Sequence, residues 1–113
     1  VNYLKSVQRL GDFVIIPLGT NNYVDEKTLD EIMVPLAETE MVVFLTAHVP
    51  DKPWQDPNNE LIRKLPDRYG NVKVMDWYRI AEENPSWLYR DKVHLNVEGQ
   101  RMYADLIMQT IGK

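Results

Sequence analysis

Cysteine is absent from the 113 residues. That excludes disulfides, thiolate nucleophiles and cysteine metal sites. Histidine occurs only as His48 and His94. Two are too few for a structural zinc site, so no metal and no cofactor is expected. Serine is equally scarce, with Ser6 and Ser86 alone. Lys and Arg total 13 against 17 Asp and Glu, for a net charge of −4. Without a basic stripe, nucleic acid is not an expected partner. No apolar run approaches the ~20 residues of a membrane span, and no signal-peptide pattern is visible.

What is present is the ordinary balance of a small domain, 44% hydrophobic and 27% charged. Short apolar runs rich in β-branched residues cover 12–18 (DFVIIPL) and 41–47 (MVVFLTA), with a shorter one at 72–75 (VKVM). Each reads as a strand buried on both faces. Pro17 fits best near a strand's end. Helical spacing marks 25–38, where Pro35 should kink or shorten the helix. It also marks 59–69, a short helix after Asp76, and 100–111. The stretch 48–59 (HVPDKPWQDPNN) reads as a loop, and Pro85–Tyr89 as a helical turn. Val1–Leu10 reads as the end of a helix stopped at Gly11. Strands alternating with helices predict an α/β fold, a parallel sheet in a three-layer α/β/α arrangement. Three strands make a thin sheet, so the chain is expected to be part of a larger doubly wound domain with its first strands missing. Folded alone, it would leave strand 12–18 as an open edge, expected to pair with another copy, swap elements or hold a missing N-terminal piece.

The chemistry concentrates in Asp91-Lys92-Val93-His94-Leu95-Asn96-Val97-Glu98-Gly99. Asn96 suits a helix cap and Glu98 a first turn. A loop pinned by that helix lets Asp91 fold round to an imidazole nitrogen of His94. The carboxylate would fix the tautomer, leaving the other nitrogen for proton transfer. An ordinary loop histidine beside a turn aspartate fits the bare spacing equally.

Ligands of open parallel sheets bind beyond the carboxyl ends of the strands. Gly19-Thr20-Asn21, His48 and Asp76-Trp77 fall at that edge. Asn21 can donate to a developing oxyanion, and Gly19 lets backbone approach a ligand; a plain turn explains both as well. His48 is either a substrate contact or a satisfied loop residue. Trp54, Trp77 and Trp87 suit either sugar stacking or packing. Ser86 reads as a helix cap, and Ser6 lies in a charged helical stretch. Neither has the strand-to-turn setting of an exposed nucleophile.

Taken together, Leu18-Gly19-Thr20-Asn21, Val49-Pro50 with Trp54, Val72–Trp77 and Trp87–Gly99 resemble the SGNH (GDSL-like) hydrolases. The match looks nearest to the extracytoplasmic SGNH domain of bacterial O-acetyltransferases that acetylate peptidoglycan, and it covers essentially the whole chain. Asp-x-x-His-Leu-Asn-x-Glu-Gly is its most specific part. The resemblance implies residues 1–113 as the C-terminal portion of one SGNH domain of flavodoxin-like fold. It implies His94 as the base that activates a serine, Asp91 as its orienting acid and Asn21 as an oxyanion-hole donor. The family's Gly-Asp-Ser block is absent, so the nucleophile would lie outside this chain and the piece alone would be inactive. Asn22 stands where the family's Gly-x-Asn-Asp block ends in Asp. The expected partners are an acyl donor and a glycan or small ester, at the cell surface, in a parent protein anchored to the membrane. An esterase of the same fold and a non-catalytic glycan- or protein-binding module are the alternatives.

Overall fold

The computed structural model describes residues 8–10 and 12–111. Strand β2 (Phe13–Pro17), β3 (Met41–Leu45) and β4 (Val72–Met75) lie side by side in parallel. Pro17 is the last residue of its strand, where its missing N–H breaks no central ladder bond. Within β2 and β3, alternate residues are buried on opposite faces. Val14, Ile16, Val42 and Phe44 meet helices α1 (Glu26–Met33), α2 (Gln55–Arg63) and α3 (Leu65–Arg68) through Leu29, Ile32, Ile62 and Leu65. Ile15, Val43 and Leu45 meet α4 (Trp77–Glu83) and α5 (Val97–Thr110). The three-layer α/β/α arrangement is therefore present, and it follows from strands that are apolar on both sides. No helix among the described residues is long and apolar enough to cross a membrane.

Local signals decide the helix ends. Asp25 caps α1 by accepting from the Thr28 amide at 2.8 Å. Pro35 ends α1 at Met33 and leaves a 3₁₀ turn, Val34–Leu36. Trp77 stacks on Tyr103 with ring centroids 4.8 Å apart, which joins α4 to α5. Burial pushes the Tyr103 phenol up to about 12.

Two expectations are corrected. Most of the helix read over Val1–Leu10 falls outside the described residues, but Gln8–Leu10 form a strand, β1. It pairs antiparallel with β2, Leu10 opposite Phe13 and Gln8 opposite Ile15. Unpaired N–H and C=O groups along a strand edge demand partners, and a short segment gains little as a helix. The β2 edge is thus covered along Phe13–Ile15, and the open edge expected over 12–18 does not exist there. The second correction is α2, which begins at Gln55 inside the stretch read as a loop. Pro57 sits in its first turn, where the missing N–H is no loss.

That earlier start matters because α2 buries amides as well as apolar groups. Asn59 grips the backbone of Ala47 twice, accepting from its N–H at 2.8 Å and donating to its C=O at 2.9 Å. Gln55 accepts from the Val49 amide at 2.8 Å. Both fix the chain just beyond β3. Asn59→Ala would leave two buried backbone groups unpaired, and each such group costs about 1–3 kcal/mol. Urea unfolding is expected to show a loss of about 3 kcal/mol with an unchanged m-value; a loss within 0.5 kcal/mol, the usual size of surface changes, would contradict the clamp.

Candidate active site

The loop after β2 is shaped by α2. Gly19 has φ +92°, and a Cβ there would lie 3.2 Å from the Asn58 Cβ. Glycine is required both for that conformation and for the close approach. The buried Asn58 donates to the carbonyls of Gly19 (3.1 Å) and Asn22 (2.8 Å), and accepts from the Val24 amide at 2.8 Å. All its hydrogen-bonding groups are used on this one loop. The Trp54 indole N–H donates to the Thr20 carbonyl at 3.0 Å, and its ring meets Tyr23 edge-on at 6.1 Å. Asn21 is exposed on the loop so held.

The Asp91–His94 loop has its own frame. Leu88 and Leu95 form a β-bridge across its neck. The Tyr89 amide donates to the His94 carbonyl at 2.9 Å, and the Asn96 amide to the Trp87 carbonyl at 2.9 Å. Asn96 then caps α5, accepting from the Gly99 amide at 2.8 Å and donating to the Ser86 carbonyl at 2.7 Å. Within the loop, Asp91 Oδ1 accepts from the amides of Val93 (2.9 Å) and His94 (3.0 Å). The other oxygen, Oδ2, accepts from His94 Nδ1–H at 2.5 Å. The carboxylate is thus fixed through one oxygen and orients the ring through the other. Nε2 is left free to exchange a proton, on a side chain 77% exposed. The sequence expectation that Asp91 reaches His94 matches this geometry.

The His94 hydrogen bond, followed by those from the two amides, holds the Asp91 carboxyl at about 2, below its ordinary 3.8. A depressed carboxylate stabilises the folded loop above pH 3.8, and that contribution is lost as pH falls through about 2. Carbon-13 NMR of the Asp91 carboxyl is expected to titrate with a midpoint near 2; a midpoint at the ordinary 3.8 would mean that the pair does not form in solution.

A chain of contacts joins the two loops to one sheet edge. Asn58 holds the Gly19–Val24 loop, Asn59 and Gln55 hold the backbone at Ala47 and Val49, and His48 between them reaches the Asp91–His94 loop. Thr46, at the end of β3, donates to Asp76 Oδ1 at 2.8 Å and accepts from the Tyr78 amide at 2.9 Å. Arg63 also bonds Asp76. Burial alone would raise that carboxyl, but the bonds from Arg63 and Thr46 outweigh it and hold it below 3.8.

Other candidates are reassigned. His48 is not placed as a substrate contact: it is 6% exposed and both ring nitrogens are engaged inside the protein. Trp77 is core, and Trp87 packs against it. Trp54 remains half-exposed, its N–H committed to Thr20. Ser86 does not cap a helix; it lies within the 3₁₀ turn Pro85–Trp87. Among the described residues, no cluster of three or more His, Asp or Glu side chains suits a metal. Asn58, Asn59 and Gln55 were missed because amides in a Pro- and Asp-rich stretch look like turn residues. The apolar spacing of Ile62 and Leu65, run backward by one turn, places Asn58 on the same face.

Fold and site together define an α/β/α domain with a carboxylate-oriented histidine beyond the carboxyl ends of its strands. Known proteins narrow this. No family model matches the chain. It is 26% identical over 107 residues to the O-acetyltransferase OatA of Staphylococcus aureus, covering 95% of the chain and 17% of that protein. It is 27% identical over 107 residues to YrhL of Bacillus subtilis, which is named for peptidoglycan O-acetylation, with the same coverage. The chain thus spans about a sixth of the length of the curated relatives it matches. Both relatives are named as O-acetyltransferases.

Proposed function

We propose that this chain carries the base, the orienting acid and one oxyanion donor of an SGNH-type serine acyltransferase, and that its reaction is O-acetylation of cell-wall peptidoglycan. The observation that carries the reading is the 2.5 Å bond from His94 Nδ1 to Asp91 Oδ2, with the Nε2 side of the ring open. Similarity to OatA and YrhL supports acetyl as the group and a cell-wall glycan as the acceptor.

In this mechanism the serine lies outside residues 1–113. Its Oγ attacks the acyl carbonyl of the donor while His94 Nε2 takes the hydroxyl proton. Asp91 stabilises the imidazolium. Asn21 and backbone amides donate to the tetrahedral oxyanion. Collapse breaks the bond to the leaving group, which receives the proton from His94. A glycan hydroxyl then attacks the acyl-serine, giving its proton to the same nitrogen, and the serine is released with that proton. A groove of about 240 Å³ runs past Ile15, Pro17, Gln100, Tyr103 and Ile107 to Leu95, the residue that follows His94, and suits packing of the part that brings the serine. The setting is the outer cell surface, in a membrane-anchored parent.

The second reading is a non-catalytic glycan- or protein-binding module. It is favoured by Ser86, which lies inside a 3₁₀ turn rather than at a strand's end. Treating the full-length protein with a sulfonyl fluoride and mapping the label separates the two. A labelled serine outside 1–113, with loss of acetyl-ester turnover, supports the transferase. An unlabelled protein that turns over no acetyl ester but binds peptidoglycan leaves the binding module.

A further inference from the structure

His48 sits at 6% exposure between the end of β3 and the Asp91–His94 loop. Its Nδ1–H donates to the Lys92 carbonyl at 2.6 Å, and its Nε2 faces Glu82 Oε2 at 2.7 Å. Its ring lies against Tyr78, with centroids 5.7 Å apart. Lys92 has φ +64°, a left-handed conformation that costs a non-glycine residue about 1–2 kcal/mol and persists only where its surroundings enforce it. The carbonyl of Lys92 and the N–H of Val93 belong to one planar peptide unit. His48 holds the carbonyl end of that unit; Asp91 Oδ1 accepts from the N–H end at 2.9 Å. With the carbonyl released, this peptide is free to rotate. Asp91 would then lose one of the bonds that align its carboxylate with His94.

We infer that His48, braced by Glu82, is a positioning residue: it holds the Lys92–Val93 peptide and through it sets the alignment of the Asp91–His94 pair. The bond pattern supports a brace. A carbonyl only accepts, so Nδ1 must carry hydrogen. A carboxylate also only accepts, so one further proton is shared between Nε2 and Glu82. Each end of the ring is thereby fixed, and no other ring orientation satisfies both partners. The inference deepens the acyl-transfer reading, and rests on it only for its effect on rate.

The test uses three variants of the full-length protein. His48→Asn keeps a donor near the Nδ1 position, His48→Leu removes it, and Glu82→Ala weakens the brace from a half-exposed site that leaves the core closed. Hydrogen exchange by mass spectrometry, on peptides covering 88–96, reads the loop without reference to activity. Expected are a roughly tenfold or greater loss of protection at Val93 and His94 in His48→Leu, a smaller loss in Glu82→Ala, and near-native protection in His48→Asn. For acetyl transfer, His48→Leu should lower kcat about 10- to 100-fold, the range in which small misplacements act. KM should stay within about twofold, and His48→Asn should restore most of kcat, as expected for a group that touches no substrate. If Glu82→Ala and His48→Leu fold and leave the 88–96 peptides as protected as the native protein, the inference is overturned. The same holds if His48→Asn is as damaged as His48→Leu. If protection falls as expected but the native protein transfers no acyl group, the brace stands and the proposed reaction falls.

Discussion

His94→Ala in the full-length protein is expected to lower acetyl transfer by about 10⁴-fold or more, because removal of a proton-transferring histidine from such a triad costs that much. Asp91→Asn should approach the same loss by a different route. An asparagine there can still accept from the amides of Val93 and His94 through its oxygen. Its amide nitrogen would then face His94 Nδ1 where the carboxylate now accepts. Two donors cannot share one bond, so Nδ1 must become the acceptor and Nε2 must carry the hydrogen. The ring would be correctly placed but in the wrong tautomer, unable to take the serine proton. Both variants should keep native circular dichroism, since His94 is exposed and the Asp91 side chain is half-exposed. The measurement is kcat/KM for an acetyl ester at fixed pH. Activity within tenfold of native in His94→Ala would remove His94 from the reaction and end the proposed mechanism.

How much of this could be read from residues alone differs by element. Buried strands announce themselves, because Val14–Ile16 and Val42–Leu45 are apolar on both faces, and only a sheet covered on both sides hides both. The Asp91–His94 geometry was legible because three residues of spacing, a cap at Asn96 and the helix behind it are all local. The supports were not. Asn58 and Asn59 act over 34 to 39 and 12 residues of separation, on Val24, Gly19, Asn22 and Ala47. Nothing in the local pattern tells a buried amide from a turn amide. His48 misled for a related reason. Its place beyond β3 is where a substrate contact belongs, but its role depends on the Lys92 carbonyl, 44 residues away. At β1 the helical reading of Gln8–Leu10 was outweighed by the edge of β2, whose demand for partners is tertiary. The Asp91–His94 contact was thus easier to find than the residues that hold its surroundings.

The other large effect is expected on stability, from a single added methyl group. Gly99 is buried in the first turn of α5. A Cβ built there would lie 2.2 Å from the Trp87 carbonyl oxygen and 3.0 Å from the Trp87 Cβ. The first contact is with backbone, and that carbonyl already accepts from the Asn96 amide at 2.9 Å. It cannot move away without breaking the bond that closes the neck of the Asp91–His94 loop. Gly99→Ala must therefore either push α5 off the Pro85–Trp87 turn or open the neck. Overpacking of this kind costs about 1–3 kcal/mol, and a lost buried hydrogen bond adds about 1–3 kcal/mol. The gain in helix propensity of alanine over glycine returns only about 1 kcal/mol. A net loss of about 2–4 kcal/mol is expected in urea unfolding. Because the strain falls on the neck, hydrogen exchange at Tyr89 and Asn96 should accelerate by more than the global loss alone produces. A variant as stable as the native chain would show that α5 does not seat against the Trp87 carbonyl. The frame that presents His94 would then rest on the Leu88–Leu95 bridge, the Asn96 cap and the His48 bond to Lys92.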